Sequence, residues 1–311
     1  MKTIKKYCNS EIFHKAKSCG FSKIIATVSG GPDSIALLSM LKDRPEFETI
    51  ALHCNFHLRA EESMRDQHLV EKICGDLGID LRVKDFDVYT YVSSNKGISI
   101  EMACRELRYE WFREMKSLLN ADRIATGHNA DDNVETMFLN LLRGSGTSGL
   151  KGMSKDNGEI WRPLLGLHRK EIMKYLESRG LPFVIDSSNL ASDYRRNFLR
   201  NEIIPLLRSR WEGLDKALDR SIRLINEDNR IVVDAIGGIL EKNNGFLDTT
   251  TILSFPSPIS LIRRFIEPAC PFTTTADEII AAIKADKPHA RIWKLKKGSV
   301  ELRNKKLRIS K

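Results

Sequence analysis

The sequence predicts an α/β protein: a doubly wound, parallel, five-stranded sheet, followed by a smaller, mostly helical C-terminal domain that ends in a basic β-hairpin. Short β-branched runs alternate with longer stretches of helical apolar spacing through the first two thirds of the chain. From Trp211 helical spacing takes over, and residues 291–309 alternate apolar with basic side chains. A length of 311 residues favours two domains, which we place at 1–210 and 211–311.

The pattern of each segment predicts the elements in order. We predict strands at 24–28, 49–56, 80–86 and 123–126, with a candidate fifth strand at 182–185. Helices are predicted at 1–22, 35–41, 64–77, 100–119, 131–142, 169–178, 197–207 and 211–240, with two short ones within 258–285. We expect Pro205 to interrupt its helix, because proline has no N–H to donate. Alternating strands and helices form parallel sheets that bind ligands at the carboxyl ends of the strands.

The net charge of +9 is unevenly distributed along the chain. Residues 291–311 contain nine Lys or Arg and one Glu, so this segment alone carries +8. A basic density of this kind is typical of a surface that binds a polyanion such as a nucleic acid. The alternative is a solvated segment that serves only solubility.

Cysteine usage and hydropathy exclude several classes of protein. The six cysteines include no Cys-x-x-Cys pair, which favours reduced thiols over a zinc site or a disulfide framework. No run of about 18 apolar residues is present, and no apolar segment follows the basic start of the chain. We therefore expect a cytoplasmic protein with no membrane partner.

The strongest local signal is the loop that follows the first predicted strand. It reads Ser29-Gly30-Gly31-Pro32-Asp33-Ser34 and leads directly into a helix. Such a turn directs backbone N–H groups and the positive end of the helix dipole at one small volume, which suits a phosphate. Ser29 and Ser34 offer hydroxyl donors, and Asp33 offers a carboxylate for Mg²⁺. The spacing is neither Walker nor dinucleotide, and a plain glycine turn before a capped helix is the alternative.

A second signal follows the fourth predicted strand, at residues 127–136. Asp132 and Glu135 lie three apart at a helix start and so share one face, where two carboxylates can hold magnesium or an ammonium group. Acidic residues are favoured in a first helical turn in any case. His128 just upstream, at the end of a strand, favours the functional interpretation.

Three weaker segments add basic and polar residues. His53 and Arg59 follow the second strand, where an arginine is a plausible clamp for charge and a histidine is often merely buried. Arg105 and Arg108 share one face of a helix and either reach a phosphate or form surface ion pairs. The segment 186–200, which contains Arg196, is rich in Asp, Ser, Asn and Arg and indicates little by itself.

Taken together, these five segments resemble the tRNA(Ile)-lysidine synthetase family of PP-loop ATP pyrophosphatases, which have a Rossmann-like fold. The resemblance runs in order from residue 23 to about 208 and more loosely beyond. It includes Arg143-Gly144-Ser145-Gly146, Arg162-Pro163-Leu164-Leu165 and Arg196-Asn197-Phe198-Leu199-Arg200. The chain departs from the family pattern at Cys104, where alanine is usual, and many members carry a further C-terminal domain.

The resemblance implies a reaction in two steps. ATP adenylates the 2-oxygen of the wobble cytidine of a tRNA(Ile) with a CAU anticodon, and pyrophosphate leaves. The ε-amine of L-lysine then displaces AMP and gives lysidine, so the chain is expected to be a carbon–nitrogen ligase. The sequence leaves a homodimer open.

The resemblance also implies roles for individual residues. The loop 29–34 would hold the β- and γ-phosphates of ATP, with Asp33 on Mg²⁺. Asp132 and Glu135 would bind lysine, and one of them would take a proton from its ammonium group. The other expected roles place Arg196 on the lysine carboxylate or the cytidylate, His128 near the α-phosphate, and His53, Arg105 and Arg108 among the residues that bind ATP.

Three rival functions remain open on the sequence. A tRNA thiolase of the same superfamily usually needs a pair of catalytic cysteines, and Cys54 and Cys104 are the only candidates near the site. An amide synthetase that makes NAD or GMP would need an ammonia source and no basic segment. A nucleotide-binding sensor without catalysis would keep the glycine loop but would not need Asp132 and Glu135.

Overall fold

The computed structural model describes residues 11–184, 194–242, 245–267, 275–285, 290–295 and 298–310. The chain divides into two compact units. The first comprises Met1–Leu139 and Gly152–Asp219, and the second comprises Asn140–Lys151 and Arg220–Lys311. This division does not test the predicted domains, 1–210 and 211–311, which stay a prediction.

The first unit contains a five-stranded parallel sheet in the order β3-β2-β1-β4-β5. This confirms the predicted fold class. Its strands are β1 (Lys23–Thr27), β2 (Glu48–Asn55), β3 (Asp80–Asp85), β4 (Arg123–Ala125) and β5 (Ile160–Trp161).

The position predicted for the fifth strand is wrong. Residues 182–184 form no strand, and residue 185 lies outside the described residues. The fifth strand is instead β5, which pairs with β4 through Ile160 and Trp161. Pro182 has no N–H for a ladder, and the N–H of Val184 donates to the carbonyl of Gly30 at 3.0 Å. This segment therefore supports the glycine loop and adds nothing to the sheet.

Helices cover both faces of this sheet. In chain order to Lys242, the helices of the described residues are α1 (Glu11–Ser18), α2 (Pro32–Lys42), α3 (Glu61–Leu77), α4 (Val88–Ser94), α5 (Ile100–Leu118), α6 (Ala130–Leu142), α7 (Thr147–Leu150), which belongs to the second unit, α8 (Arg169–Arg179), α9 (Tyr194–Phe198), α10 (Ile204–Arg210) and α11 (Leu214–Lys242), which runs across the division between the units. Side chains alternate along β1, so Ile24 and Ala26 belong to one core cluster and Ile25 belongs to the other. Helix α2 is buried along almost its whole length, which fixes the glycine loop before it.

The helix predicted at 197–207 is interrupted, as the proline suggests. A π-helical turn, Leu199–Ile203, lies between α9 and α10. Pro205 stands in the first turn of α10, where its missing N–H costs least. Such turns are frequent at functional sites, and this one carries Arg200.

The second unit combines helices with a four-stranded antiparallel sheet in the order β6-β9-β8-β7. Its further elements are β6 (Leu247–Asp248), α12 (Thr249–Ser254), α13 (Pro258–Ile266), α14 (Thr275–Lys284), β7 (Arg291–Lys294), β8 (Ser299–Arg303) and β9 (Lys306–Ser310). The predicted basic hairpin is β7–β8, and β9 and β6 extend it. Val300 and Leu307 are fully buried in the core of this unit. Among the described residues, no helix is long and apolar enough to cross a membrane.

Candidate active site

The serines of the glycine loop hold the loop itself in shape. Ser34 Oγ donates to the carbonyl of Gly31 at 2.9 Å and accepts from the N–H of Ser29 at 3.1 Å. Ser29 Oγ accepts from the N–H of Gly31 at 3.3 Å. Helix α2 starts after Gly31 with no side-chain cap. What the loop presents to an anion is therefore chiefly the backbone and dipole at the start of α2, and the predicted hydroxyl contacts stay a prediction.

Gly30 occupies a conformation that other residues rarely adopt. Its φ is +89°, and a Cβ placed on it would lie 3.0 Å from Val184 Cγ2. The carbonyl of the same residue accepts from the N–H of Val184. A side chain at this position would both strain the backbone and push the loop away from its support.

His53 lies behind the loop. Its Nδ1 donates to the carbonyl of Val28 at 2.8 Å, because a carbonyl can only accept. Burial lowers the pKa of His53, so the ring is neutral and carries its proton on Nδ1. This hydrogen bond holds the chain in place just before Ser29. The predicted contact of His53 with the nucleotide stays a prediction.

The loop after β4 is pressed against the start of α2. A Cβ on Gly127 would lie 3.0 Å from the carbonyl carbon of Asp33 and 3.1 Å from the N–H nitrogen of Ser34. Two residues later, Asn129 Nδ2 donates to Asp33 Oδ1 at 3.0 Å. The absence of a side chain on Gly127 therefore lets the two loops meet.

Asp33 and Asp132 form a pair of carboxylates in one cleft. Burial raises the pKa of Asp33, and the charge of Asp132 raises it further, while Arg169 lowers it from 3.7 Å away. Two like charges held together in a half-buried place favour a cation between them. In the described part of the chain no group of three or more His, Cys, Asp and Glu could hold a metal. Two carboxylates nevertheless fit Mg²⁺, which is commonly bound by one or two carboxylates together with phosphates.

Glu135 is enclosed by two arginines. Arg200 donates from Nε and Nη2 to its two oxygens at 2.6 and 2.8 Å, and Arg196 Nε donates to Oε2 at 2.7 Å. Arg200 Nη2 also donates to Asp132 Oδ1 at 3.0 Å. The side chain of Glu135 is only 2% exposed, against 17% for Asp132. Asp132 is thus the more accessible of the two carboxylates.

His128 is neutral in this site. Burial, followed by the positive charges of Arg162 and Arg196, lowers its pKa to about 3. Its Nδ1 is hydrogen-bonded to Thr126 Oγ1 at 2.7 Å, which leaves the other ring nitrogen directed elsewhere. A neutral imidazole among arginines can donate a hydrogen bond to a phosphate oxygen without adding charge.

Seven of the candidate residues line one cleft of about 300 Å³. Arg105 and Arg108 form one wall, where their guanidinium groups stack on Tyr109 and Phe56 at 4.9 and 5.2 Å. The cleft is lined by Thr27, Val28, Ser29, Asp33, Ser34, Leu52, Cys54, Arg105, Arg108, Tyr109, Phe112, Thr126, Gly127, His128 and Asp132. Apolar walls with convergent charged groups are typical of a nucleotide site.

Beside the cleft lies an ionic cluster that the sequence did not indicate. His168 Nε2 lies 3.0 Å from Asp219 Oδ2, and its Nδ1 lies 3.4 Å from Asp131 Oδ2. These two carboxylates raise the pKa of His168 to about 10. Arg208 bonds Asp131 as well. The cluster fastens the start of α6, and with it Asp132, to α8, α10 and α11.

The structure therefore brings together most of the predicted site. Asp33, His128 and Asp132 share the cleft, while Glu135 and Arg196 adjoin it through ion pairs. Sequence reasoning gave no role to four further residues, which are Gly127, Asn129, Arg169 and Arg200. Gly127, Asn129 and Arg200 belong to sequence motifs described above, but their contacts become visible only in the folded chain. Nothing in the sequence pattern singles out Arg169.

The chain is similar to known proteins over most of its length. A model of the PP-loop domain matches residues 3–207. A tRNA(Ile)-lysidine synthase from Chlorobaculum tepidum is 42% identical over 248 residues, which cover 78% of this chain and 74% of that protein. This chain belongs to the tRNA(Ile)-lysidine synthase family. Proteins of the same name from Bacteroides thetaiotaomicron and Porphyromonas gingivalis are 40% and 43% identical over 79% of the chain.

Two further comparisons concern the length of the relatives and the fold. The chain spans 58% of the Bacteroides protein and 54% of the Porphyromonas protein. Among solved structures, a U34-tRNA thiolase from Methanococcus maripaludis matches with a TM-score of 0.55 at 19% identity, over 66% of this chain and 72% of that one. A likeness at this identity supports the fold alone.

Proposed function

We propose that this chain catalyses the synthesis of lysidine on tRNA(Ile) with a CAU anticodon. The observation that carries the proposal is one cleft that Ser29, Asp33 and Ser34 of the glycine loop line together with His128 and Asp132. A phosphate-binding loop and an accessible carboxylate within one cleft suit a reaction that first uses ATP and then an amine. Membership of the family supports the same reaction.

In the first step the 2-oxygen of the wobble cytidine attacks the α-phosphorus of ATP, and pyrophosphate leaves. The start of α2 stabilises negative charge on the phosphates, and neutral His128 would donate from its Nε2–H to an α-phosphate oxygen. Arg105 and Arg108, which also line the cleft, supply further positive charge. Mg²⁺, held by Asp33 and Asp132, would neutralise charge on the β- and γ-phosphates.

In the second step the ε-amine of lysine attacks C2 of the cytosine ring, and AMP leaves with the 2-oxygen. The amine must lose a proton, since it is an ammonium group near neutral pH. Once pyrophosphate and its Mg²⁺ have left, we assign the ammonium group to Asp132, because this carboxylate is the more exposed of the two near Arg200. The burial and pairing of Glu135 favour a role in holding Arg196 and Arg200, which would bind the lysine carboxylate or the cytidylate.

The basic sheet β7–β9 suits the RNA partner. Arg303, Lys306 and Arg308 are exposed on it, and such side chains bind the phosphate backbone without reading bases. This sheet would position the tRNA, while the cleft acts on the wobble base.

A thiolase is the alternative, and the cysteines do not favour it. Burial raises the pKa of Cys54 to about 12, and burial also raises that of Cys104. A thiol that stays protonated is a poor nucleophile. We therefore retain lysine as the nucleophile.

The first step can be tested without lysine. The chain is incubated with ATP labelled in the α-phosphate, Mg²⁺ and a tRNA(Ile) transcript with a CAU anticodon. We expect label on the tRNA, and its release as AMP when lysine is added. An adenylate that lysine cannot discharge but a sulfur donor can would favour the thiolase, and absence of any tRNA-linked label would contradict the proposal.

A further inference from the structure

Asn129 is the side chain that joins the two loops of the cleft. Its Nδ2 donates to Asp33 Oδ1, and its Oδ1 accepts from the N–H of Asp132, both at 3.0 Å. Its backbone N–H donates to Asp132 Oδ2 at 3.1 Å. Asn129 is only 1% exposed. Both ends of its amide are therefore engaged by the two aspartates of the site, away from solvent.

These contacts oppose a repulsion. Asp33 and Asp132 carry like charges in a half-buried place, and an acid in that position tends to turn away or to take up a proton. The donor on Asn129 binds one oxygen of Asp33, and Arg169 lies 3.7 Å from the other. Two interactions thus hold Asp33 in one orientation, and the amide of Asn129 is the closer of them.

We propose that Asn129 is a positioning residue that sets Asp33 and Asp132 in place for a magnesium-bound triphosphate before the ligand arrives. The inference rests on the proposed function only for the identity of the ligand as ATP. Fixing both carboxylates in advance removes part of the cost of ordering them on binding. Asn129 would not touch the nucleotide itself.

Asn129 also caps helix α6, and the two roles can be separated. Serine and threonine are good N-caps, since their oxygen accepts from the same backbone N–H groups. Neither side chain is long enough to reach Asp33 from this position. Asn129→Ser therefore keeps the cap and removes the bond to Asp33, and Asn129→Thr repeats the test if the serine variant folds poorly.

The control comes from the same helix. Asn133 Oδ1 accepts from the N–H of Met153 at 2.7 Å and has no hydrogen bond to Asp33. Asn133→Ala thus removes an asparagine hydrogen bond one turn further along without touching the carboxylate pair. It reports how much a general loosening of α6 affects the site.

The measurement is calorimetric binding of a non-hydrolysable ATP analogue at a series of Mg²⁺ concentrations, alongside thermal unfolding of each variant. In Asn129→Ser we expect the Mg²⁺ concentration for half-maximal binding to rise about tenfold, the size expected for one hydrogen bond to a charged group. Binding without Mg²⁺ and the melting temperature should stay near those of the wild type. Asn133→Ala should keep the wild-type dependence on Mg²⁺.

Two results with the variants would overturn the inference. One is a wild-type Mg²⁺ requirement in both cap-preserving variants, and the other is an equal loss of analogue binding with and without Mg²⁺. A wild-type chain whose analogue binding ignores Mg²⁺ would also overturn it. Failure of the proposed function has a different signature, since the analogue would bind with Mg²⁺ while no tRNA adenylate forms.

Discussion

Arg200 binds both oxygens of Glu135, at 2.6 Å from Nε and 2.8 Å from Nη2, in a forked pair that leaves the carboxylate almost without solvent. Arg196 adds a third hydrogen bond to the same group. A carboxylate so enclosed organises the arginines around it more readily than it receives a new ammonium group. The pair also ties the π-helical turn, which carries Arg200, to helix α6.

Removal of this carboxylate should destabilise the fold. In Glu135→Ala two half-buried guanidinium groups lose their closest carboxylate but keep Asp132, and we expect the free energy of unfolding to fall by about 2 kcal/mol. Urea denaturation measures the change. Glu114→Ala is the control, because Glu114 forms an exposed ion pair with Lys84 at 3.4 Å and should cost less than about 1 kcal/mol. Equal effects of the two changes would contradict this account of Glu135.

Gly127→Ala should weaken ATP binding. The added methyl group would lie 3.0 Å from the backbone of Asp33, so the two loops must separate and the start of α2 must shift. We expect the dissociation constant for ATP to rise at least about tenfold, a cost of 1.4 kcal/mol or more, which lies within the usual range for overpacking.

Gly75→Ala provides the matched control for that change. A Cβ on Gly75 meets no atom within 4 Å, and the residue lies inside helix α3. Alanine there should stabilise the protein by up to about 1 kcal/mol and leave ATP affinity unchanged. ATP affinity lost to the same extent in both variants would show that the contact at Gly127 is not the cause.

The cluster around His168 should make stability fall at high pH. Its pKa is raised to about 10 in the folded state, against about 6.5 when unfolded. The stabilisation from the charged ring is therefore complete below pH 6.5 and is lost progressively as pH rises to about 10. Chemical denaturation of the wild type and of His168→Gln between pH 6 and 10 measures this. We expect the gap between the two proteins to narrow with rising pH, and a gap that widens would contradict the assignment.

The role of the basic sheet in tRNA binding is better tested by substitution than by deletion. Removing residues 291–311 would also remove Val300 and Leu307, which are buried in the core of the second unit. Neutralising Arg303, Lys306 and Arg308 to Gln leaves that core intact. If all three bind phosphates, the slope of log affinity for tRNA against log salt should become shallower by about 2.

The control for this triple change is Arg82→Gln. Arg82 is an exposed arginine in β3 that pairs with Asp80 at 2.8 Å, and its loss should leave the salt slope unchanged. An unaltered slope in the triple variant would favour the solvated-segment interpretation of residues 291–311.

Local patterns predicted much of the fold. The alternation of β-branched runs with helical spacing indicated β1 to β4 and the long helices, because each carries its own periodicity. Two-residue strands such as β5 and β6 have no periodicity to detect, and they form only because a neighbouring strand offers free backbone groups. Residues 182–184 do not form the predicted strand. The backbone N–H of Val184 donates to the carbonyl of Gly30 and is therefore not available to a neighbouring strand.

The sequence motifs predicted where the site lies better than they predicted which atoms their side chains contact. Asp33, His128 and Asp132 follow strand ends, and the topology of a parallel sheet brings such residues to one edge. Which oxygen each side chain binds depends on folded distances that no spacing encodes. For that reason the sequence does not reveal that Ser34 also bonds its own loop, and it assigns no role to Asn129 or Arg200.

The most direct test of the account is incorporation of radiolabelled lysine, with ATP and Mg²⁺, into a tRNA(Ile) transcript with a CAU anticodon. The control transcript carries uridine in place of the wobble cytidine. We predict label that requires both ATP and the cytidine. Label that appears equally on the two transcripts, or no label although AMP is released in the presence of tRNA, would contradict lysidine synthesis by this chain.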